Sequence, residues 1–208
     1  MPDDNGGPFS LDAPDLNALL GSRICHDLIS PLGAIGNGVE LLGMSAMADA
    51  PEMALVTESI ENANARIRYY RIAFGAVGRD AQVGRAEIRA ILADLYKGAR
   101  VDVDWVAPGD ALRADVKTAF LLLMCLEGAL PWGGRITVHL TGDRWHLTGR
   151  ADRLRDIADL WAIATGAPPP VDLPASDVHF ALVAKAAMAA GRAVTLVSRD
   201  ETRIELSF

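Results

Sequence analysis

Cysteine is scarce in this 208-residue chain, where only Cys25 and Cys125 occur. Both sit in apolar helical patterns, which excludes a disulfide framework and fits a reducing compartment. Long hydrophobic runs are missing as well. The longest, Ala119 to Leu126, is far below the roughly 20 residues that cross a bilayer. The opening stretch Met1-Pro-Asp-Asp-Asn-Gly-Gly-Pro lacks the basic and apolar regions of a secretory signal, so a cytoplasmic protein is expected. Positive charge is not in surplus. A net charge of -7 and a pI near 5.0 leave no basic field for nucleic-acid phosphates or an anionic membrane, and the expected partners are other proteins. Asparagine does not occur beyond Asn64, and there are four histidines; both facts bear on function below.

What the chain does contain is helical periodicity followed by a mixed pattern. After a polar tail over residues 1–12, the segment from about Asp15 to Met44 places Cys25, Leu28, Leu32, Ile35, Val39 and Leu42 at alternating steps of three and four. A break around Ala48 to Pro51 follows, with Pro51 suited to the first turn of a second helix. There Met53, Val56, Ile60, Ala63, Ile67, Tyr70, Phe74 and Val77 repeat the same steps. Two helices of roughly 30 residues, each about 45 Å long at 1.5 Å per residue, predict an antiparallel hairpin over residues 13–80. A lone hairpin leaves apolar surface wet, so pairing with a second copy into a four-helix bundle is expected.

Gly75, Gly78 and Gly84 mark a composition break, and residues 81–208 read as a second domain. Helices are predicted over Ala86–Tyr96, Ala114–Leu130, Arg153–Ala164 and Asp177–Ala190. Strands are predicted over Val101–Val106, Arg135–Leu140, Arg144–Thr148, Ala193–Ser198 and Thr202–Ser207. Lys97-Gly98 closes the first of these helices, Gly133-Gly134 reads as a turn, and Pro168-Pro169-Pro170 reads as a loop. The expected class is α+β, with helices on one face of a five-stranded sheet.

The most distinctive string is Cys25-His26-Asp27-Leu28-Ile29-Ser30-Pro31-Leu32. Helical steps from His26 give Ser30, Gly33, Asn37 and Glu40, a polar or small stripe opposite Leu28, Leu32, Ile35 and Val39. His26 therefore faces solvent, as a phosphoryl acceptor must for in-line approach to an unprotonated ring nitrogen. An imidazole's ordinary pKa of about 6.5 leaves much of such a ring neutral at cellular pH. Asp27 can fold back to keep the other ring nitrogen protonated. Gly33 and Gly36, each costing about 1 kcal/mol of helix propensity relative to Ala, suit close packing of another protein's backbone. Pro31 removes the amide that would bond to the Asp27 carbonyl. A Cys25/His26 nucleophile pair fails because adjacent helical residues diverge by about 100°. His139, His146 and His179 lie without a second ligand at metal spacing, so they read as structural and no metal site is predicted.

Arg23 to Ile35 resembles the H-box of two-component sensor kinases, where a His-acid pair is followed by Thr, Ser or Asn and then Pro-Leu. Ile29 departs from the basic or polar residue common there, and Gly33, Gly36 and Gly38 make the segment richer in glycine. From about residue 85 onward the element order resembles the kinases' ATP-binding domain. Its signatures are missing: the helix that should carry a Mg²⁺-holding asparagine offers Met124, Glu127 and Gly128, and neither Asp-x-Gly-x-Gly nor a glycine-rich lid occurs. A hairpin with an H-box joined to a degenerate kinase-like domain resembles the ChpT-type bacterial histidine phosphotransferases. That resemblance implies a non-ATP relay of phosphoryl groups between receiver-domain aspartates, with a hybrid histidine kinase among the partners. Mg²⁺ would come with the receiver, and the chain would need no cofactor of its own. It implies His26 as acceptor with Asp27 and Ser30 as catalytic neighbours. A receiver would then seat over Ile29, Gly33, Asn37 and Glu40. On the second helix, Arg66, Arg68 and Arg71 come nearest His26 and could steer the phosphoryl, with Arg66 and Arg71 the candidate contacts. Pairing of these arginines with acids such as Glu58 or Glu61 is the alternative. Two other functions stay open at this stage: a divergent ATP-using histidine kinase, and a non-catalytic module that binds receivers.

Overall fold

The computed structural model describes residues 13–44, 50–78 and 80–208. The expected tail over residues 1–12 and residues 48 and 49 of the break expected before the second helix lie outside these, while Ala50 and Pro51 already belong to that helix. Helix α1 (Leu16–Met44) starts where the Asp15 carboxylate accepts bonds from the amides of Asn17 and Ala18 at 3.0 and 3.2 Å, an N-cap that satisfies otherwise free donors. It runs without interruption through Pro31, which is buried. Helix α2 (Ala50–Ala73) packs along it.

The predicted continuation of α2 to Val77 is corrected: the helix stops at Ala73. At Gly75 an added Cβ would lie 2.1 Å from the Arg71 carbonyl oxygen, so only glycine fits that turn. The carbonyls freed there are claimed from the second domain. Arg113 donates to Arg71 O at 2.6 Å and to Ala76 O at 3.3 Å, and Lys117 donates to Gly75 O at 2.9 Å.

Beyond this junction come β1 (Gln82–Val83), α3 (Arg85–Leu95), β2 (Val101–Trp105), β3 (Ala111–Leu112), α4 (Arg113–Ala129), β4 (Gly134–Thr141) and β5 (Arg144–Arg150). They are followed by α5 (Ala158–Ala164), a 3₁₀ turn (Ala175–Asp177), α6 (Val178–Ala189), β6 (Thr195–Arg199) and β7 (Arg203–Ser207). The expected five-stranded sheet has the order β2-β4-β5-β7-β6, parallel between β2 and β4 and antiparallel elsewhere. The short β1–β3 pair is an element that periodicity did not reveal; two residues are too few for a pattern. Helix Arg153–Ala164 is shorter than predicted, beginning at Ala158. The amides of Ala151, Leu154 and Arg155 are instead bonded to the carbonyls of Thr202, Glu201 and Ala129, which pins that segment in an extended path.

Alternation along β4, β5 and β7 turns Ile136, Val138, Trp145, Leu147, Ile204 and Leu206 inward, all of them buried. Helix α4 lies between this sheet face and the hairpin, which is why it is apolar on most sides: Ala119 through Leu126 are all buried. On its far side Tyr69 of α2 stacks on Phe120 with centroids 4.5 Å apart and donates to the Phe120 carbonyl at 2.6 Å. Tyr69, Tyr70, Ile72 and Ala73 belong to the same hydrophobic core as the sheet. The hairpin is thus welded to the second domain along α2, while α1 rests on α6 and the 3₁₀ turn. No helix among the described residues is long and apolar enough to cross a membrane.

Candidate functional site

His26 projects from α1 with its side chain 87 % exposed, facing solvent as the helical spacing predicts. Ser30, Gly33, Asn37 and Glu40 continue the exposed stripe along the same helix, and Ile29 beside them is 67 % exposed. Nothing lies within 4 Å of a Cβ built on Gly33 or Gly36, so that face is open to an approaching backbone. A cleft of about 490 Å³ runs from His26, Asp27 and Ser30 across to Glu58, Asn62 and Arg66 of α2.

Asp27 folds back as the sequence requires, its Oδ1 lying 3.3 Å from His26 Nδ1. Its other oxygen, Oδ2, accepts from Arg23 Nε at 2.7 Å and from the Tyr70 hydroxyl. Arg23, one helical turn earlier, also donates through Nη1 to the carbonyl of Ser176 in the second domain. Burial pushes the Asp27 carboxyl up, but the bonds from Tyr70 and Arg23, the Arg23 charge and His26 outweigh it and hold the group below its usual range. The Tyr70 hydroxyl is driven to about 12 by burial and by the adjoining Asp27 carboxylate. Neither Arg23 nor Tyr70 stood out as functional in the sequence. Arg23 could have been found from its i,i+4 spacing to Asp27; Tyr70 occupied an apolar position in the stripe and gave no separate signal.

Of the three arginines expected near His26, the structure brings one into the cleft. Arg66 lines it and donates from Nε to Asn62 Oδ1 at 2.9 Å. Arg68 pairs with Asp94, and Arg71 lies 3.2 Å from Glu87, both acids belonging to α3. The assignment of Arg71 and Arg68 to the phosphoryl is therefore corrected. Helical geometry explains the split: Arg66 and Tyr70, four residues apart, share the face toward α1, whereas positions 68 and 71 turn toward α3. The alternative acids Glu58 and Glu61 are not their partners either; Glu61 pairs with Lys97 at 3.4 Å.

Behind the site, Glu127 of α4 is recessed among Tyr96, Arg66, Arg23 and Asp27. Burial raises its carboxyl to about 7, with Asp27 adding to the rise and the Tyr96 hydroxyl and the Arg66 and Arg23 charges opposing it. His179 on α6 is buried and neutral, its pKa lowered to about 3 by burial and by Arg23. His139 and His146 stack across β4 and β5 with centroids 4.8 Å apart. Among the described residues no cluster of three or more His, Cys, Asp or Glu side chains has a metal-holding arrangement.

Residues 85–202 match the family described as "Histidine phosphotransferase C-terminal domain". Protein phosphotransferase ChpT of Brucella abortus (strain 2308) is 36 % identical over 184 residues, spanning 85 % of this chain and 88 % of that protein. A solved bacterial phosphotransferase at 1.7 Å superposes with a TM-score of 0.78 at 34 % identity, covering 96 % of this chain and 98 % of the other.

Proposed function

Because the chain belongs to the ChpT-type histidine phosphotransferases of two-component phosphorelays, we propose that it carries phosphoryl groups between receiver-domain aspartates on His26, without using ATP. The observation that carries this reading is the geometry at His26: an exposed ring whose Nδ1 is met by a carboxylate anchored elsewhere. With the proton kept on Nδ1, the Nε2 lone pair is the free nucleophile. It attacks the phosphorus of a receiver's phosphoaspartate in line; the N–P bond forms as the acyl P–O bond breaks, and the electron pair leaves with the receiver carboxylate. Asp27 stabilises the N–H proton as positive charge develops on the ring. Reversal onto another receiver's aspartate completes the relay. The incoming receiver supplies Mg²⁺ at its own aspartate.

Exposed Ile29, Gly33, Asn37 and Glu40 supply a docking strip beside the ring, and Arg66 in the cleft supports a role in holding the phosphoryl oxygens. The reading without ATP is supported by α4, which offers Met124, Glu127 and Gly128 and no asparagine where a kinase helix would hold Mg²⁺. A homodimer is supported by two exposed stripes in heptad steps, Cys25, Leu32 and Val39 on α1 and Met53, Ile60 and Ile67 on α2. The receivers, a hybrid kinase upstream and the cytoplasm are the setting this chemistry fits.

The test is transfer of radiolabel from a phosphorylated receiver to the full chain. Label on the wild type but not on His26→Ala, and none from labelled ATP alone, is the expected result. Label from ATP, or label persisting in His26→Ala, refutes the reading. Light scattering of Leu32→Glu/Ile67→Glu against the wild type checks the dimer; an unchanged mass ratio counts against the bundle.

A further inference from the structure

We propose that Arg23 and Tyr70 are positioning residues for this transfer: they clamp Asp27 so that its free oxygen holds the proton on His26 Nδ1, and the second domain sets the clamp through Arg23. The inference rests on His26 being the acceptor. Both arms reach the same oxygen, Oδ2, leaving Oδ1 for the ring. They come from different directions, Arg23 from the preceding turn of α1 and Tyr70 from α2. Asp27 and His26 are neighbours on one helix, where side chains diverge by about 100°. Without anchors the carboxylate would sample rotamers that leave the ring alone. A neutral histidine side chain in water favours the proton on Nε2, which would block the exposed nitrogen. A fixed acceptor at Nδ1 reverses that preference.

The link to the second domain is the other end of the same guanidinium. Arg23 donates from Nε to Asp27 and from Nη1 to the Ser176 carbonyl, in the 3₁₀ turn leading into α6. Its planar fork is held at two points, something a lysine ammonium cannot reproduce. The Asp27 side chain is only 10 % exposed and that of Arg23 24 %, so little water competes for these bonds. The second domain thereby acts on the acceptor site at a distance from any nucleotide chemistry: it fixes the angle of the acid that fixes the tautomer.

The experiment uses the full chain labelled with ¹⁵N on histidine. The His26 tautomer is read by two-bond ¹H–¹⁵N correlation at pH 8.5, and single-turnover transfer from a phosphorylated receiver is measured alongside receiver Kd. The wild type should show the Nδ1–H form. Tyr70→Phe, which keeps the ring packed against Phe74 at 5.1 Å, and Arg23→Lys should each shift the ring toward Nε2–H. Each should slow transfer roughly tenfold, the scale on which orienting partners act, with receiver Kd unchanged. Unaltered tautomer in both variants, whatever the rate does, overturns the clamp, as does an unaltered rate with a shifted tautomer. Should the wild type accept no phosphoryl from any receiver, it is the proposed function that fails, while the tautomer measurement still decides the clamp.

Discussion

Replacing Glu127 by glutamine should stabilise the protein above neutral pH and do almost nothing in mild acid. The carboxyl sits at about 7 in the folded chain against a usual 4.5, because burial on α4 disfavours its charge more than the Tyr96 hydroxyl and the Arg66 and Arg23 charges favour it. The folded state therefore binds the proton more tightly than the unfolded state. Between about 4.5 and 7, unfolding releases a proton, so this group's contribution to stability falls as pH rises. At about 1.4 kcal/mol per pKa unit, a rise of that size is worth on the order of 3 kcal/mol once both states are ionised, near pH 8, and under about 1 kcal/mol at pH 5. Glutamine keeps the shape and polarity but carries no charge to desolvate. Urea denaturation of wild type and Glu127→Gln at fixed protein concentration, at pH 5 and pH 8, reads the difference. A gap that widens from pH 5 to pH 8 is expected. Equal gaps at the two values, or a variant less stable at pH 8, would refute the argument that burial governs this carboxyl.

Three other perturbations follow from particular contacts. Asp115→Ala strands Arg192, which now meets the carboxylate at 2.7 and 2.9 Å while Trp145 Nε1 meets it at 3.2 Å; a loss of about 3–5 kcal/mol is expected, and a urea midpoint close to wild type would contradict it. Gly149→Ala puts a methyl 3.1 Å from Ile204 Cγ2 and 3.3 Å from Leu126 and Leu130, so overpacking should cost roughly 1–3 kcal/mol, read as a lowered Tm by calorimetry. Asp27 is held below its usual range, so its contribution to stability is present above about pH 4 and is lost as pH falls through the lowered folded value. Wild type and Asp27→Asn should therefore converge in stability on acidification, and curves that stay parallel from pH 7 to pH 3 would rule this out.

Much of this was readable from residue order. Steps of three and four gave α1 almost to the residue, and the five strands of the main sheet lie where they were expected, with β4, β5 and β7 burying one face against helices. The exposure of His26 and Ser30 and the approach of Asp27 to the ring were readable because spacing on a single helix is a local property. The errors have local causes as well. Periodicity carried α2 past Ala73 because Phe74 and Val77 are apolar, yet the chain turns at Gly75, where an added Cβ would meet the Arg71 carbonyl oxygen, and Arg113 and Lys117 of the second domain take the carbonyls there. The stretch before Ala158 reads as helical, but its amides are taken by Thr202, Glu201 and Ala129, which no window of sequence contains.

The arginines show the same division. All three of Arg66, Arg68 and Arg71 fall near the level of His26 when the hairpin is laid out in register, and the chain order alone cannot say which turn toward α3. Sequence by itself determined the exposed histidine, the acid beside it, the hairpin and the layered second domain, because periodic burial and short-range helical geometry specify them. Only the tertiary structure decided that Tyr70 grips Asp27, that the Ser176 carbonyl holds Arg23 and that Glu127 lies behind the site. The Tyr70–Asp27 and Arg23–Ser176 contacts join residues 43 and 153 positions apart along the chain, and it is the packing of α1, α2 and α6 against one another that brings them within bonding distance.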